Sequence, residues 1–425
     1  RGAKQETFFD VPEGAVAGTN RLTIALYPGI DQAVLDALLF LELYPYGCVE
    51  QTVHRFLPAL EAQAALRRAG SLDEERIGAL RKSAERSAMR LRNLQNDDGS
   101  FGWFGRGKGN LAMTAYALRG LAAARSAGIA GLDRSIAMAV NALGRLVKTG
   151  TEDDRALGHL ALASVGRMER GTYATTFRRR NDALSVSGLA WMALAAHRLK
   201  RSFDEDELIR LLLERRVEDG GTTHWAGRKG DCFVGSDREA TALAVQALLV
   251  SKEAGPHAER GMRWLLAHRA KGGLGTTKDS AAFVGAASAW ILEGRAQGFG
   301  GNVDVLLDGK VVRTIGTSAR PMPVSDRRFT LSEAIDWSAG RHRLAFRLDG
   351  QGELYWSARL ESVVASKDLP GEEHGIGISR SYLVPEEAPV PGQPAKVKPG
   401  YTSLREAARP KIEPKDLEQV GSGDK

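Results

Sequence analysis

The run Leu43-Tyr44-Pro45-Tyr46-Gly47-Cys48-Val49-Glu50-Gln51-Thr52 separates two amphipathic helical patterns and sets a thiol three positions before a carboxamide. Pro45 discourages the preceding helix, Asp31 to Leu43, from running through, and Gly47 supplies the backbone freedom of a tight turn. Apolar residues recur at helical spacing from Val49 to Leu66, so Cys48 stands just before a helix, where unpaired N–H groups and the dipole favour thiolate. That spacing can close an internal thioester: the Cys48 sulfur is acylated by the side-chain carbonyl of Gln51, ammonia leaves, and water, an amine or a hydroxyl can later take the acyl group. A bare C-x-x-Q is more often a buried thiol beside an exposed helix residue. Tyr44 and Tyr46 are close enough to cover the bond, or they pack against a neighbouring domain. Glu50 caps the helix start or orients the carbonyl.

Outward from this run the chain is helical. Amphipathic, Ala- and Leu-rich stretches follow one another at Asp31 to Leu43, Glu50 to Arg68, Asp73 to Leu94, Leu111 to Ala127, Leu132 to Val147, Asp153 to Val165, Ser185 to Leu199, Glu205 to Arg216, Asp237 to Lys252, His257 to His268 and Ser280 to Glu293. Polar, Gly-bearing turns join them, and a loose unit recurs in which a turn and a short aromatic or apolar step precede an Ala/Leu helix. Asp98-Gly99-Ser100-Phe101-Gly102-Trp103-Phe104, Gly220-Gly221-Thr222-Thr223-His224-Trp225 and Gly272-Gly273-Leu274-Gly275-Thr276 are its instances. Stacked helical hairpins of this kind predict an α/α toroid of about six hairpins.

Past Arg295 the period falls to two. Asn302 to Leu307, an Asp308-Gly309 turn and Lys310 to Val312 read as a hairpin, continued at His342 to Leu348 and Leu354 to Val363. Arg21 to Leu26 alternates in the same way. The expected organisation is mainly α with a β part: a β-sandwich of residues 1–28 and 298–366, split by a helical domain at 29–297, then a Pro-, Glu- and Lys-rich connector or the start of a further domain at 367–425.

Composition excludes several classes. No apolar run in the 425 residues is long enough to cross a bilayer. The formal charge of +7 is spread over helices that also carry Asp and Glu, so nucleic acid is not expected as a partner. No clustered ligands predict a metal site, and no cofactor is called for. Cys48 and Cys232 could form one disulfide, which competes with the thioester. The chain opens at Arg1 and ends in a polar stretch, as a piece of a longer protein would.

The extended run Pro45-Tyr46-Gly47-Cys48-Val49-Glu50-Gln51 resembles the thioester signature of the α2-macroglobulin and complement family, and Val49, where animal members have Gly, is similar to the bacterial branch. The Asp98 to Phe104 turn, Glu239-Ala240-Thr241-Ala242, Leu354-Tyr355-Trp356-Ser357 and Gly377 to Tyr382 resemble further family segments. Gly272 to Ser280 resembles the family turn Gly-Gly-x-x-Ser-Thr-Gln-Asp-Thr, with Lys278 and Ser280 as departures. The resemblance implies a thioester-containing toroid inserted in a CUB-like β-sandwich. It further implies a broad-spectrum endopeptidase inhibitor that traps proteases by acylating their lysines, adjacent macroglobulin-type domains, and an extracytoplasmic place in the bacterial periplasm or cell envelope. A complement-like covalent tag is the alternative within the family, with His159 as the candidate acyl-acceptor switch that redirects attack towards hydroxyls.

Two other classes compete. Toroids also serve as terpene cyclases, and Thr151-Glu152-Asp153-Asp154 resembles their acidic motif without its first aspartate; a helix N-terminus explains the run more simply. A cysteine hydrolase or acyltransferase would need a histidine partner that no spacing identifies.

Overall fold

The computed structural model describes residues 4–16, 18–44, 47–71, 74–105, 107–228, 235–251, 255–269, 274–295, 298–317, 328–331 and 338–364. Two strands open it, β1 (Lys4–Val11) and β2 (Arg21–Tyr27). The helical body follows as α1 (Ile30–Glu42), α2 (Val49–His54), α3 (Leu57–Arg68), α4 (Glu74–Leu94), α5 (Leu111–Ser126), α6 (Asp133–Leu146), α7 (Glu152–Ala163), α8 (Arg170–Arg178), α9 (Arg180–Ala183), α10 (Val186–Arg198) and α11 (Ser202–Glu214). After a small hairpin, β3 (Arg216–Asp219) and β4 (Thr222–Trp225), come α12 (Asp237–Val250), α13 (Gly255–Ala267) and α14 (Thr277–Leu292). Strands β5 (Gly300–Leu307), β6 (Lys310–Gly316), β7 (Arg328–Leu331), β8 (Gly340–Gln351) and β9 (Tyr355–Glu361) complete the described part.

Burial sorts the helices into two rings. In α10 every residue from Val186 to Ala196 is buried, and α5, α7, α12 and α14 are also buried on most of their faces. A helix that is apolar all round needs neighbours on every side, and these five close a ring with α2 and α3: α5 packs on α7, α7 on α10, α10 on α12, α12 on α14, and α14 on α2 and α3. The amphipathic α1, α4, α6, α11 and α13 lie outside, each against inner members. Because inner and outer helices alternate along the chain, the inner helices run in one direction and start at one rim. Bonds between their first turns confirm this: the Ser185 N–H donates to Asp153 Oδ1 (2.9 Å), and Ser236 Oγ to Asp279 Oδ1 (2.6 Å). Gly188 is required there, since a Cβ on it would fall 2.1 Å from Asp153 Oδ1.

The mainly helical toroid with a β part is the fold expected, with local differences. The stretch read as one helix from Glu50 to Arg68 breaks at Arg55 and Phe56. Pro58 has no N–H for the His54 carbonyl, so the helix restarts with Pro58 in the first turn of α3. The segment read as a Gly-rich turn before α12 is the β3–β4 hairpin, turned by Gly220 (φ 53°) and Gly221 (φ 84°). It delivers Trp225 into the core, where Nε1 donates to the Leu212 carbonyl (2.6 Å). Helices α8 and α9 and strand β1 have too many charged residues to show a clear apolar period.

The β part has two antiparallel sheets, β1-β8-β5-β6 and β7-β2-β9. Leu22, Ile24 and Leu26 of β2 share one core with Val303, Val305 and Leu307 of β5 and with Leu344 and Phe346 of β8, as in a sandwich. The helical body leaves and rejoins it at one place, where the Phe299 N–H donates to the Pro28 carbonyl (2.5 Å). Residues 365–425, which include the expected connector and the Gly377 to Tyr382 segment, lie outside the described residues.

Candidate functional site

Six inner-ring helices begin with a side chain that accepts a hydrogen bond from the third residue of its helix: Asn110, Thr151, Ser185, Ser236 and Thr276 on α5, α7, α10, α12 and α14, and Cys48 on α2. A thiol is a weak acceptor in a position that favours Ser, Thr, Asp or Asn. The contact is nevertheless made, with the Gln51 N–H directed at Cys48 Sγ (3.4 Å). In return the Cys48 N–H donates to Gln51 Oε1 (3.1 Å), which completes a reciprocal capping box. Each side chain thus reaches the other residue's backbone N–H, which sets the sulfur and the carboxamide on the same helical turn. The Cys48 N–H already points at the carbonyl oxygen that gains charge when sulfur or an amine attacks Gln51 Cδ.

Neighbouring elements hold this turn. The Val49 N–H donates to the Trp103 carbonyl (2.9 Å), and Arg90 of α4 donates to the Gly47 carbonyl (3.0 Å). Arg55 reaches back to the Tyr44 carbonyl (2.6 Å), and the Tyr44 ring meets Phe40 edge-on at 6.0 Å. Cys48 is 2% exposed while Gln51 is half-buried, so the cysteine is the more deeply buried of the pair.

The electrostatics differ from the expectation at one point. Burial pushes the Cys48 thiol up and the Glu50 carboxylate adds to the rise, outweighing the Gln51 and Glu50 N–H groups that pull it down. The helix start therefore favours thiolate, as read from the sequence, but the resting thiol keeps its proton. Glu50 is 6% exposed and turned inward: Oε2 lies 3.8 Å from Cys48 Sγ, and Oε1 takes His54 Nδ1 (2.5 Å) and the Thr277 hydroxyl (2.8 Å). Burial opposes its charge, but His54, Thr277 and the Lys278 ammonium together hold its carboxyl below the usual range. Lys278 also lies 3.5 Å from Glu239, a buried carboxyl of α12 that burial pushes up. The His54 ring packs edge-on against Tyr116 of α5 at 4.9 Å.

Of the residues singled out in the sequence, Cys48, Gln51 and Glu50 are brought together, with Tyr44 on the same loop. Tyr46 and Cys232 lie outside the described residues. His159 sits in the middle of α7, 1% exposed and edge-on to Tyr173 at 5.4 Å, and its ring nitrogens make no close hydrogen bond among the described residues. Burial, with Arg155 adding to it, lowers its pKa to about 4, which the Thr172 backbone opposes without reversing. Asp153 is buried against the Ser185 N–H and Arg228 (3.4 Å), and Asp154 sits in the first turn of α7. His54, Thr277 and Lys278 complete the site without having been expected there. Glu50 and His54 lie four apart on one helix face, a legible signal, but Thr277 arrives from 227 positions away. No cluster of three or more His, Cys, Asp or Glu suited to a metal occurs among the described residues.

Residues 29–145, which include this turn, match the family model described as an A-macroglobulin TED domain. That segment is similar to the TED domains of A-macroglobulins. The α2-macroglobulin of Thermotoga maritima is 32% identical over 112 residues, which cover 26% of this chain and 6% of that protein. The chain therefore spans a small part of this relative's length. A crystal structure of native Escherichia coli α2-macroglobulin, from domain MG7 to the C-terminus, superposes with TM-score 0.56 at 18% identity, over 83% of this chain and 56% of that one. Salmonella α2-macroglobulin reacted with methylamine superposes with TM-score 0.55 at 20% identity, over 83% of this chain and 24% of that one. At such identities these α2-macroglobulin structures share the fold. No helix among the described residues is long and apolar enough to cross a membrane.

Proposed function

We propose that the chain carries an internal thioester between Cys48 and Gln51 and belongs to a broad-spectrum protease inhibitor that captures its attacker covalently. The reciprocal capping box supports this reading, because it folds the Cys48 and Gln51 side chains back over one turn and aims an N–H at the carbonyl oxygen. A lysine amine of the attacking protease bonds to Gln51 Cδ, the Cδ–Sγ bond breaks, and the cysteine is released; the acyl group is spent, so the protein acts once and is not an enzyme. Tyr44, and Tyr46 with it, shield the bond at rest. The packing of His159 against Tyr173 favours direct amine attack over transfer to hydroxyls. The bonds that tie up Asp153 speak against a cyclase-type proton donor.

The partners are target proteases and the adjacent macroglobulin-type domains of the longer protein, in an extracytoplasmic setting such as the periplasm or cell envelope. The toroid at 29–297 is inserted in a CUB-like sandwich formed by 1–28 and 298–366, with 367–425 a connector or the start of a further domain. Intact mass is the test. The protein should weigh about 17 Da less than its sequence, and methylamine should add its mass and release one titratable thiol. Full mass with an unreactive carboxamide, in protein kept from nucleophiles throughout, would overturn the reading.

A further inference from the structure

We propose that Glu50 is the proton carrier of this warhead: it takes the proton from the Cys48 thiol as the thioester closes and returns a proton to the sulfur when an amine opens it. The inference rests on the thioester reading above and assigns a role that capping does not explain. The capping box is already complete with Cys48 and Gln51. Glu50 instead points one oxygen at the sulfur (3.8 Å), while the other is saturated by His54 and Thr277. A carboxylate oxygen facing a thiol inside the protein can accept its proton.

The chemistry needs such a group in both directions. On closure the Sγ–H bond breaks, Sγ bonds to Cδ of Gln51, the Cδ–Nε2 bond breaks, and the proton carried by Glu50 leaves on nitrogen as ammonia. On opening, the amine nitrogen bonds to Cδ, the Cδ–Sγ bond breaks, and the amine proton passes through the same carboxylate to sulfur. Without a carrier the closing step must expel a bare amide anion and the opening step a bare thiolate in a buried site. The carboxylate is ionised and so able to accept, but with the thiol raised the transfer is uphill and has to run together with C–S bond formation rather than before it. The groups facing Glu50 are Cys48 and His54 on its own turn and helix, Thr277 and Lys278 from α14, Glu239 from α12 and Tyr116 from α5, with Asp279 and Arg119 behind them. Thr277, a positioning residue, holds Glu50 in its charged form.

Intact mass and methylamine kinetics of the intact wild-type protein come first. A wild type without the mass deficit overturns the thioester reading and this proposal with it, whereas a wild type that closes and reacts leaves the role of Glu50 as the single question. Glu50→Gln keeps the shape and removes the proton acceptor; closure, or aminolysis by methylamine, should slow tenfold or more, and Glu50→Asp should restore part of the rate. Glu50→Gln that closes and reacts at wild-type rates overturns the proposal. Thr277→Val supplies a test that does not alter the carboxylate itself. With rates corrected for free methylamine, the acid limb of the pH profile should move up by about one unit as Glu50 loses a hydrogen bond to its charged form. An unmoved limb overturns the proposal even if Glu50→Gln fails to fold.

Discussion

Lys278 is the perturbation that most directly tests the buried charge network. Its side chain is 14% exposed and its ammonium lies 3.5 Å from Glu239, whose side chain is 4% exposed, and it also helps to keep Glu50 charged. Lys278→Met keeps the length and removes the charge. Losing one partner of a buried ion pair costs about 3–5 kcal/mol, because the other charge is left uncompensated; the lower end applies here, since the separation is long and Glu239 can protonate instead. The sign with pH follows from linkage. Burial already raises the folded-state pKa of Glu239, and without Lys278 it rises further. The folded variant then binds more protons than the unfolded chain, so stability is lost as pH rises above the unfolded carboxyl value and recovers as pH falls. Urea denaturation at about pH 8 should show the full loss, roughly 3 kcal/mol, and at about pH 5 much less. Adding Glu239→Gln to Lys278→Met should return most of the stability at the higher pH. An equal loss at both pH values, or a double variant no better than the single, would refute the reasoning.

Three further outcomes follow from the same geometry. Cys48→Ser should abolish methylamine uptake yet change unfolding free energy by no more than about 1 kcal/mol, because serine is a good N-cap; a large loss of stability would mean that the sulfur is needed for packing. Gly188→Ala should destabilise by about 1–3 kcal/mol, read from denaturant titration, since its Cβ would meet Asp153 Oδ1. His159 is held neutral in the folded state with a pKa of about 4, below its unfolded value, so it should cost stability as pH falls from about 6.5 towards 4. His159→Phe should flatten that part of the pH–stability curve, by up to about 3 kcal/mol, and an unchanged acid slope would count against the assignment.

The toroid was legible because its inner helices are long and apolar and are joined by Gly-bearing turns, and the pairing of Cys48 with Gln51 in one capping turn because the two are local to one another. What the sequence hid is of three physical kinds. The break at Phe56 depends on one missing N–H at Pro58, which a period count over the whole stretch averages away. Helix α8 and strand β1 are charged on their exposed faces and owe their form to neighbours: β1 is paired along its length with β8, more than 300 residues later. The environment of Glu50 is assembled from α2, α12 and α14, and the pull of burial on Cys48, which reverses the simple helix-dipole expectation, becomes visible once the ring is closed. Glu50–His54 at i, i+4 was the one part of that environment available locally.

The single joint at Pro28 and Phe299 makes the helical ring transplantable. Its two chain ends are hydrogen-bonded to each other, so grafting it into a hairpin turn of an unrelated host would ask little of the host backbone and add little closure entropy. A cassette cut at this joint leaves behind Tyr27 and Tyr355, which pack on the ring's core from the sandwich side, so the host has to supply an apolar washer in their place.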